Sequence, residues 1–319
     1  MMPYIGRFAP SPTGPLHFGS LVAAVASYCD ARYNQGKWLV RMEDVDKPRE
    51  MAGAADDILR TLEVFGFEWD GGVIYQSQRS GIYQNHLHHL QRDGFIYACT
   101  CSRKEIADSA TSAGIEGVIY PKTCFLKPAL QANTPGHPLS NSFHEFDSPC
   151  IHAAYRAVVL DKNMYFTDAI QGEVVQNLAR DIGDFILKRK DGLFAYQLAV
   201  VVDDAEQGVT HIVRGADLLN STPRQIYLQQ QLNFTTPNYA HVPVVVNAAG
   251  EKLSKQTLAK PITPATAPAL LFEALRFLGQ NPAAEIKNTT LAEMWRWAMV
   301  NWRLDNVPKN RSAALPALT

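Results

Sequence analysis

The chain has 319 residues, of which 46% are hydrophobic and 19% charged, and its formal net charge is −1. Such a length and balance fit an ordinary soluble globular protein of two domains, or one large domain with an insertion, and exclude a strongly basic nucleic-acid protein, though not a local basic patch. No apolar run approaches the roughly 20 residues that a membrane helix needs, and the N-terminus lacks the basic-then-apolar pattern of a secretion signal. Five cysteines (Cys29, Cys99, Cys101, Cys124 and Cys150) are an odd number for a long chain without such a signal. Reduced thiols or a metal site, in the cytoplasm, are expected rather than a disulfide scaffold.

Residues 4–8 form a short apolar segment that runs into a loop punctuated by Pro10, Pro12, Gly14 and Pro15. Leu21, Val22, Val25, Ala26, Tyr28 and Cys29 then predict a helix ending near Gly36. A strand, a tight loop and a helix N-terminus make a cradle for anionic phosphate, because backbone N–H groups and the positive end of the dipole point at the ligand. His17 can add a donor there. From the loop alone, a βα unit whose Pro and Gly merely shape the turn is an equal reading. Residues 37–42 predict a strand that delivers Glu43, Asp44 and Asp46 at its carboxyl end, where ligands gather in open α/β sheets. A solvated acidic turn is the alternative. Ile58, Leu59, Leu62 and Phe65 predict a helix over 54–65 with Gly66 as its C-cap. Residues 69–75 pass through Gly71-Gly72 as a loop, and a further helix over 80–93 ends at Gly94. On that helix His86, His88 and His89 form a partly exposed face rather than a metal site, since no Asp or Glu sits at matching spacing.

From residue 97 to 160 the polar and Pro/Gly-rich stretches 109–117 and 128–149 replace the βα rhythm, which marks an inserted module. Within it lie Cys99-x-Cys101 and Tyr120-x3-Cys124. Two thiolates one residue apart and a third after a loop can form a metal knuckle, for which zinc is the natural ion. Three buried free cysteines are the competing reading, and His137 and Cys150 are further candidates for a fourth ligand. Order returns at 154–160 and 164–168, and an amphipathic segment spans 178–188. The run Leu198-Ala199-Val200-Val201-Val202, ahead of Asp203-Asp204, shows no alternation and predicts a parallel strand buried on both faces. Residues 211–214 predict a shorter strand, 222–231 a helix and 242–246 another buried strand. Helices are expected over 267–277 and 291–302, in a final segment of about sixty residues that is too short for a further well-cored domain. There is no internal repeat.

Several segments, taken in order, resemble the glutamyl branch of class I aminoacyl-tRNA synthetases over most of residues 1–260. They are Arg7-Phe8-Ala9-Pro10-Ser11-Pro12-Thr13-Gly14 leading into His17-Phe18-Gly19-Ser20, then Arg41-Met42-Glu43-Asp44-Val45-Asp46 with Arg49. Tyr196-Gln197-Leu198-Ala199 through Asp203-Asp204, His211-Ile212-Val213-Arg214-Gly215, Pro223-Arg224-Gln225 and Lys252-Leu253-Ser254-Lys255-Gln256 follow. The resemblance implies an α/β fold: a Rossmann-like catalytic domain in two halves (1–96 and 178–257), an inserted zinc-containing module (97–177) and a short helical, stem-contact-like region (258–319). It also implies that His17, Gly19, Ser20, Lys252, Ser254 and Lys255 bind ATP with its Mg2+, His17, Lys252 and Lys255 being catalytic. Lys255 is expected on a mobile, Gly-flanked loop. Arg7, Ala9, Ser11, Glu43, Tyr196 and Arg214 are implied to bind glutamate, with Arg7 and Arg214 on the carboxylate, Tyr196 supporting, and Ser11 and Glu43 at the amine.

The chemistry fits those residue types. An amino-acid carboxylate is already ionised at neutral pH, with a pKa near ~3.5, so adenylation requires no strong base; positioning of two anions and stabilisation of phosphate charge suffice. Arginine suits a carboxylate because its planar fork binds bidentately. Arg214 could instead pair with Asp217, and Tyr196 could be ordinary core. The resemblance narrows to a shortened paralogue whose zinc module uses a tyrosine oxygen, matching Tyr120, so Cys99, Cys101, Tyr120 and Cys124 are implied to hold one structural Zn2+. That paralogue activates L-glutamate without tRNA and transfers it to queuosine in the anticodon loop of tRNA(Asp). The large helical anticodon-binding region of a full glutamyl enzyme is not expected after Lys252. A truncated tRNA-charging enzyme, a non-catalytic tRNA-binding paralogue and a different adenylate-forming enzyme are the alternatives.

Overall fold

A computed structural model describes residues 3–126, 153–247, 249–253 and 262–314. Strand β1 (Ile5–Phe8) pairs in parallel with β2 (Lys37–Met42), which makes the intervening α1 (Phe18–Tyr33) a crossover helix. Helix α1 is buried around most of its circumference, because the sheet covers one side and later helices cover another. Helix α2 (Ala54–Val64) ends just before Gly66, whose φ of 76° supplies the left-handed turn that terminates it. The expected loop over 69–75 closes in a two-residue strand, β3 (Ile74–Tyr75), paired with β2. Two residues are too few for periodicity to register. Helix α3 (Ser80–Arg92) follows.

The chain then forms β4 (Ile96–Cys99), α4 (Arg103–Ser109) and the small hairpin β5 (Ala113–Gly114) and β6 (Gly117–Val118). Strand β7 (Ala154–Ala157) returns antiparallel to β4, ahead of the hairpin β8 (Asn163–Asp168) and β9 (Gly172–Asn177). The amphipathic stretch 178–188 divides into one helical turn, α5 (Leu178–Asp181), and β10 (Ile186–Lys188), with Gly183 at φ 77° between them. Strand β10 completes a three-stranded antiparallel sheet with β7 and β4. The stretch 128–149 with His137, and also Cys150, Ser254 and Lys255, lie outside the described residues.

The run 198–202 is not a strand. It is the middle of helix α6 (Tyr196–Glu206), in which every residue from Gln197 to Asp204 is buried. A short apolar run that is covered on all sides looks the same in either conformation, so periodicity could not decide it. The modest β preference of valine, less than about 1 kcal/mol per residue, is outweighed by packing against Tyr83, Leu87 and Leu228. Next come β11 (His211–Gly215), α7 (Thr222–Gln231), β12 (Asn238–Val242) and β13 (Val244–Val246). The single strand expected over 242–246 is thus cut at Pro243, which has no N–H to continue a ladder. Before the cut β12 pairs with β11; after it, β13 pairs with β14 (Ser312–Ala314). Helices α8 (Ala267–Phe277) and α9 (Leu291–Asn301) share one core with α1. Two indoles fix α9 there: Trp302 Nε1–H donates to Asp30 and Trp295 Nε1–H to the Phe65 carbonyl.

A four-stranded sheet runs in the order β11-β12-β8-β9. It meets the first sheet where the Thr210 N–H donates to the Ile5 carbonyl at 2.9 Å. Phe8, Glu43, Gly215 and Val242, at or just past the carboxyl ends of β1, β2, β11 and β12, all face one cavity.

Candidate active site

That cavity has a volume of about 700 Å³. Arg7, Ala9, Ser11, Glu43, Tyr196 and Arg214 line it, and so do His17, Gly19, Ser20 and Lys252. Each described residue expected to hold glutamate or ATP therefore opens onto the same space. The loop before α1 and the segment at Lys252, distant in sequence, come together at Gly19. A Cβ there would stand 3.6 Å from the Leu253 carbonyl, in ordinary contact, but 3.1 Å from the His17 ring, which would have to give by a few tenths of an ångström. The Ile262 N–H donates to the Leu16 carbonyl at 3.1 Å and ties the chain beyond Lys252 to the same loop.

His17 caps α1. Its Nδ1 accepts the Ser20 N–H at 3.2 Å, so a neutral ring carries its proton on Nε2, the atom suited to donate to a phosphate oxygen. Lys252 Nζ lies 2.7 Å from Asp217 Oδ2, both partly open to solvent, so the pair contributes little stability. Asp217 therefore partners Lys252 rather than Arg214. Arg214 is held by neutral groups instead: Nε donates to His241 Nε2 (3.0 Å), Nη1 to the Tyr196 hydroxyl (3.4 Å), and Nη2 to Thr222 and Gln225 (2.8 Å each). Burial raises the Tyr196 pKa, keeping its proton available to a ligand.

Behind Arg7 lies a buried charge cluster. Arg7 Nε pairs with Asp204 at 3.1 Å, and the fully buried Arg41 reaches Asp204 (2.8 Å), Glu43 (3.3 Å) and Asp203 (3.8 Å). Arg79 also pairs with Asp203 at 2.7 Å. Three guanidiniums (Arg7, Arg41, Arg79) thus meet three carboxylates (Glu43, Asp203, Asp204). The cluster is balanced in formal charge, whereas Arg214, on the same cavity, has no carboxylate partner among the described residues. Burial pushes the Glu43 pKa up, with Arg41 and Arg7 opposing.

Sequence spacing does not single out His241, Asp168, Arg41, Asp204 or Gln225 individually. The detectable signal was a charged or imidazole side chain inside an apolar strand, as in Leu39-Val40-Arg41-Met42 and Tyr239-Ala240-His241-Val242. Burial pushes the His241 imidazole down to about 4, against the Asp168 hydrogen bond and together with the Arg214 charge. The unfolded chain takes up this proton near pH 6.5 and the folded chain only near pH 4. The stabilisation is therefore full above pH ~6.5 and declines as the pH falls across that window, by roughly 3 kcal/mol in all. Urea unfolding at several pH values should show a shallower slope in His241→Gln than in the parent; equal slopes would assign the acid sensitivity elsewhere.

The second cluster lies at the end of β4. The sulfurs of Cys99, Cys101 and Cys124 lie within 4.8 Å of one another. The Tyr120 hydroxyl is 3.3 Å from Cys99 Sγ and 3.5 Å from Cys101 Sγ. Arg156 sits over the Tyr120 ring, 4.0 Å from its centroid. Three converging thiols and a phenol oxygen make a four-donor set that could hold a metal ion. Among the described residues Cys29, Cys99, Cys101 and Cys124 are free thiols, and no helix is long and apolar enough to cross a membrane.

Comparison with known proteins agrees with this architecture. Residues 5–310 match the catalytic domain of the class I tRNA synthetases of the E and Q type, and the chain belongs to that family. It is 55% identical over 316 residues to the glutamyl-Q tRNA(Asp) synthetase of Dechloromonas aromatica, covering 99% of each chain. With the protein of the same name from Aromatoleum aromaticum it shares 51% over 314 residues, covering 98% of this chain and 93% of that one. Among solved structures it is similar to a glutamate tRNA ligase from Elizabethkingia meningosepticum, crystallised with its amino acid. The TM-score is 0.75 at 23% identity, over 98% of this chain and 67% of that one, which shows the fold.

Proposed function

We propose that the chain activates L-glutamate with ATP and Mg2+, without tRNA, and then transfers the glutamyl group to queuosine in the anticodon loop of tRNA(Asp), in the cytoplasm. The observation that carries the first half is the single cavity joining Arg7, Glu43, Tyr196 and Arg214 to His17, Gly19 and Lys252. The names of the relatives support the second half. In the first step an oxygen of the glutamate α-carboxylate attacks the α-phosphorus, the bond to the β-phosphate oxygen breaks, and pyrophosphate leaves with the electron pair. Arg214, Arg7 and the Tyr196 hydroxyl hold the side-chain carboxylate, while Glu43, Ser11 and the Ala9 backbone take the ammonium group. His17 and Lys252, with Ser254 and Lys255 of the same motif, counter charge on the phosphates, and Gly19 and Ser20 open the helix beneath them. Mg2+, when bound, supplies divalent charge to the phosphates. In the second step a queuosine hydroxyl attacks the activated carbonyl carbon, AMP leaves and a proton is released.

Labelled glutamate and ATP incubated with tRNA(Asp) containing queuosine, the same tRNA lacking it, or tRNA(Glu) tests this reading. Label should enter the first alone; transfer to tRNA(Glu) would instead indicate an ordinary charging enzyme.

Cys99, Cys101, Tyr120 and Cys124 would hold one Zn2+ in a structural role, since four protein donors leave no open position for a substrate. Metal analysis of the purified chain should find about one equivalent of zinc, and Cys101→Ser should carry less. A folded parent chain without zinc would leave these residues as a thiol cluster.

A further inference from the structure

We infer that Asp168 and His241 form a relay that positions Arg214, and thereby makes the site select a side-chain carboxylate over an amide. The inference rests on the glutamate reading above. Arginine can only donate, so the contact from Arg214 Nε to His241 Nε2 at 3.0 Å requires a lone pair on Nε2. The one proton of the neutral ring then resides on Nδ1 and is donated to Asp168 Oδ2 at 2.6 Å. Asp168 cannot turn away, because its Oδ1 accepts the backbone N–H groups of Ile170 (3.0 Å), Gln171 (2.9 Å) and His241 (3.1 Å). Asp168, His241 and Arg214 are all buried, the most exposed being Arg214 at 5%.

The contrast with Arg7 gives the relay its meaning. Arg7 is paired directly with Asp204, so its charge is partly answered before any ligand arrives. Arg214 is oriented on the far side of an imidazole, with Thr222 and Gln225 as its other buried acceptors, and none of these cancels its charge. A carboxylate placed directly on Arg214 would compete with the ligand; a histidine fixes direction and leaves the cation to the cavity. A side-chain amide brings no charge and would leave that guanidinium buried and uncompensated. Asp168 and His241 are thus positioning residues, acting through Arg214.

Two measurements test this. Nitrogen-15 NMR of the histidine-labelled chain should show His241, identified by the signals lost in His241→Phe, as the neutral Nδ1–H tautomer; an Nε2–H or doubly protonated ring at neutral pH would overturn the relay. Asp168→Asn is nearly isosteric. Its carbonyl can keep the three backbone N–H groups while its amide faces Nδ1 and donates, which drives the ring proton to Nε2, against Arg214. In glutamate-dependent ATP–pyrophosphate exchange the KM for glutamate should rise about 10- to 100-fold, the preference over glutamine should fall by a similar factor, and the KM for ATP should stay within about twofold. A flipped tautomer with unchanged glutamate KM would overturn the proposal, as would equal rises in both KM values. If Asp168→Asn does not fold, the tautomer of the parent chain decides. A parent chain with the Nδ1–H ring but no glutamate-dependent exchange would remove the glutamate reading, and the carboxylate selectivity with it, while leaving the hydrogen-bonded geometry standing.

Discussion

In an Arg214→Ala variant, glutamate-dependent ATP–pyrophosphate exchange is expected to fall by about 10²- to 10³-fold or more, effectively to background. Arg214 is the buried cation that the charge cluster leaves without a direct carboxylate, and removing it takes away the counter-charge that a ligand carboxylate would meet. The loss also leaves Gln225 Oε1 without its donor in the buried wall of the cavity, while Thr222 Oγ1 and His241 Nε2, 3.2 Å apart, can still pair with each other. Arg214→Lys should not restore activity. A single ammonium cannot reach three fixed acceptors and a ligand together, whereas the guanidinium fork does so without turning. Isotope exchange with purified variants whose melting curves match the parent provides the check. Near-normal exchange in Arg214→Ala would place amino-acid recognition on other residues.

The largest loss of stability is expected from Arg41→Leu. This guanidinium is 0% exposed, and it reaches Asp204, Glu43, Asp203 and the Gln207 amide oxygen at once. Leucine leaves three buried carboxylates facing two remaining guanidiniums, a change that costs about 3–5 kcal/mol for a broken buried pair. Asp203 keeps Arg79, Gln76 and Tyr83, and Asp204 keeps Arg7, so the least compensated group is Glu43. Its carboxyl, already pushed up by burial, should rise further without Arg41 and take up a proton on mild acidification. The sign follows: the folded variant then binds a proton that the unfolded chain does not, so part of the loss should be recovered as pH falls from 8 toward the raised Glu43 pKa. Denaturant unfolding at pH 8 and at mildly acidic pH checks both points. A loss under about 1 kcal/mol would mean that the cluster tolerates charge imbalance.

Local spacing by itself determined those elements whose faces differ. Helix α2 has an apolar stripe at Ile58 and Leu62 and a terminating Gly66, and it lies where periodicity puts it. The same holds for β2, α7 and α8, and for the loop after β1, whose prolines and glycines announce a turn into a helix N-terminus. The family resemblance, rather than spacing, pointed to the residues from Arg7 to Ser20, Glu43, Tyr196, Arg214 and Lys252 that gather round one cavity. The spacing of Cys99, Cys101 and Cys124 suggested the convergence of their thiols, and the resemblance added Tyr120. Tertiary structure decided the rest. Residues 198–202 are enclosed on all sides, which erases the alternation that separates strand from helix, so their neighbours chose helix for them. Pro243 could be seen in the sequence, but which strands would accept the two halves it separates could not. The same holds for the pairing of His241 with Asp168 and Arg214, and for Arg41 among three carboxylates. A side chain's own sequence neighbourhood carries its face and its conformation; the partners that answer a buried charge arrive from remote positions, and only the folded chain brings them within hydrogen-bond reach.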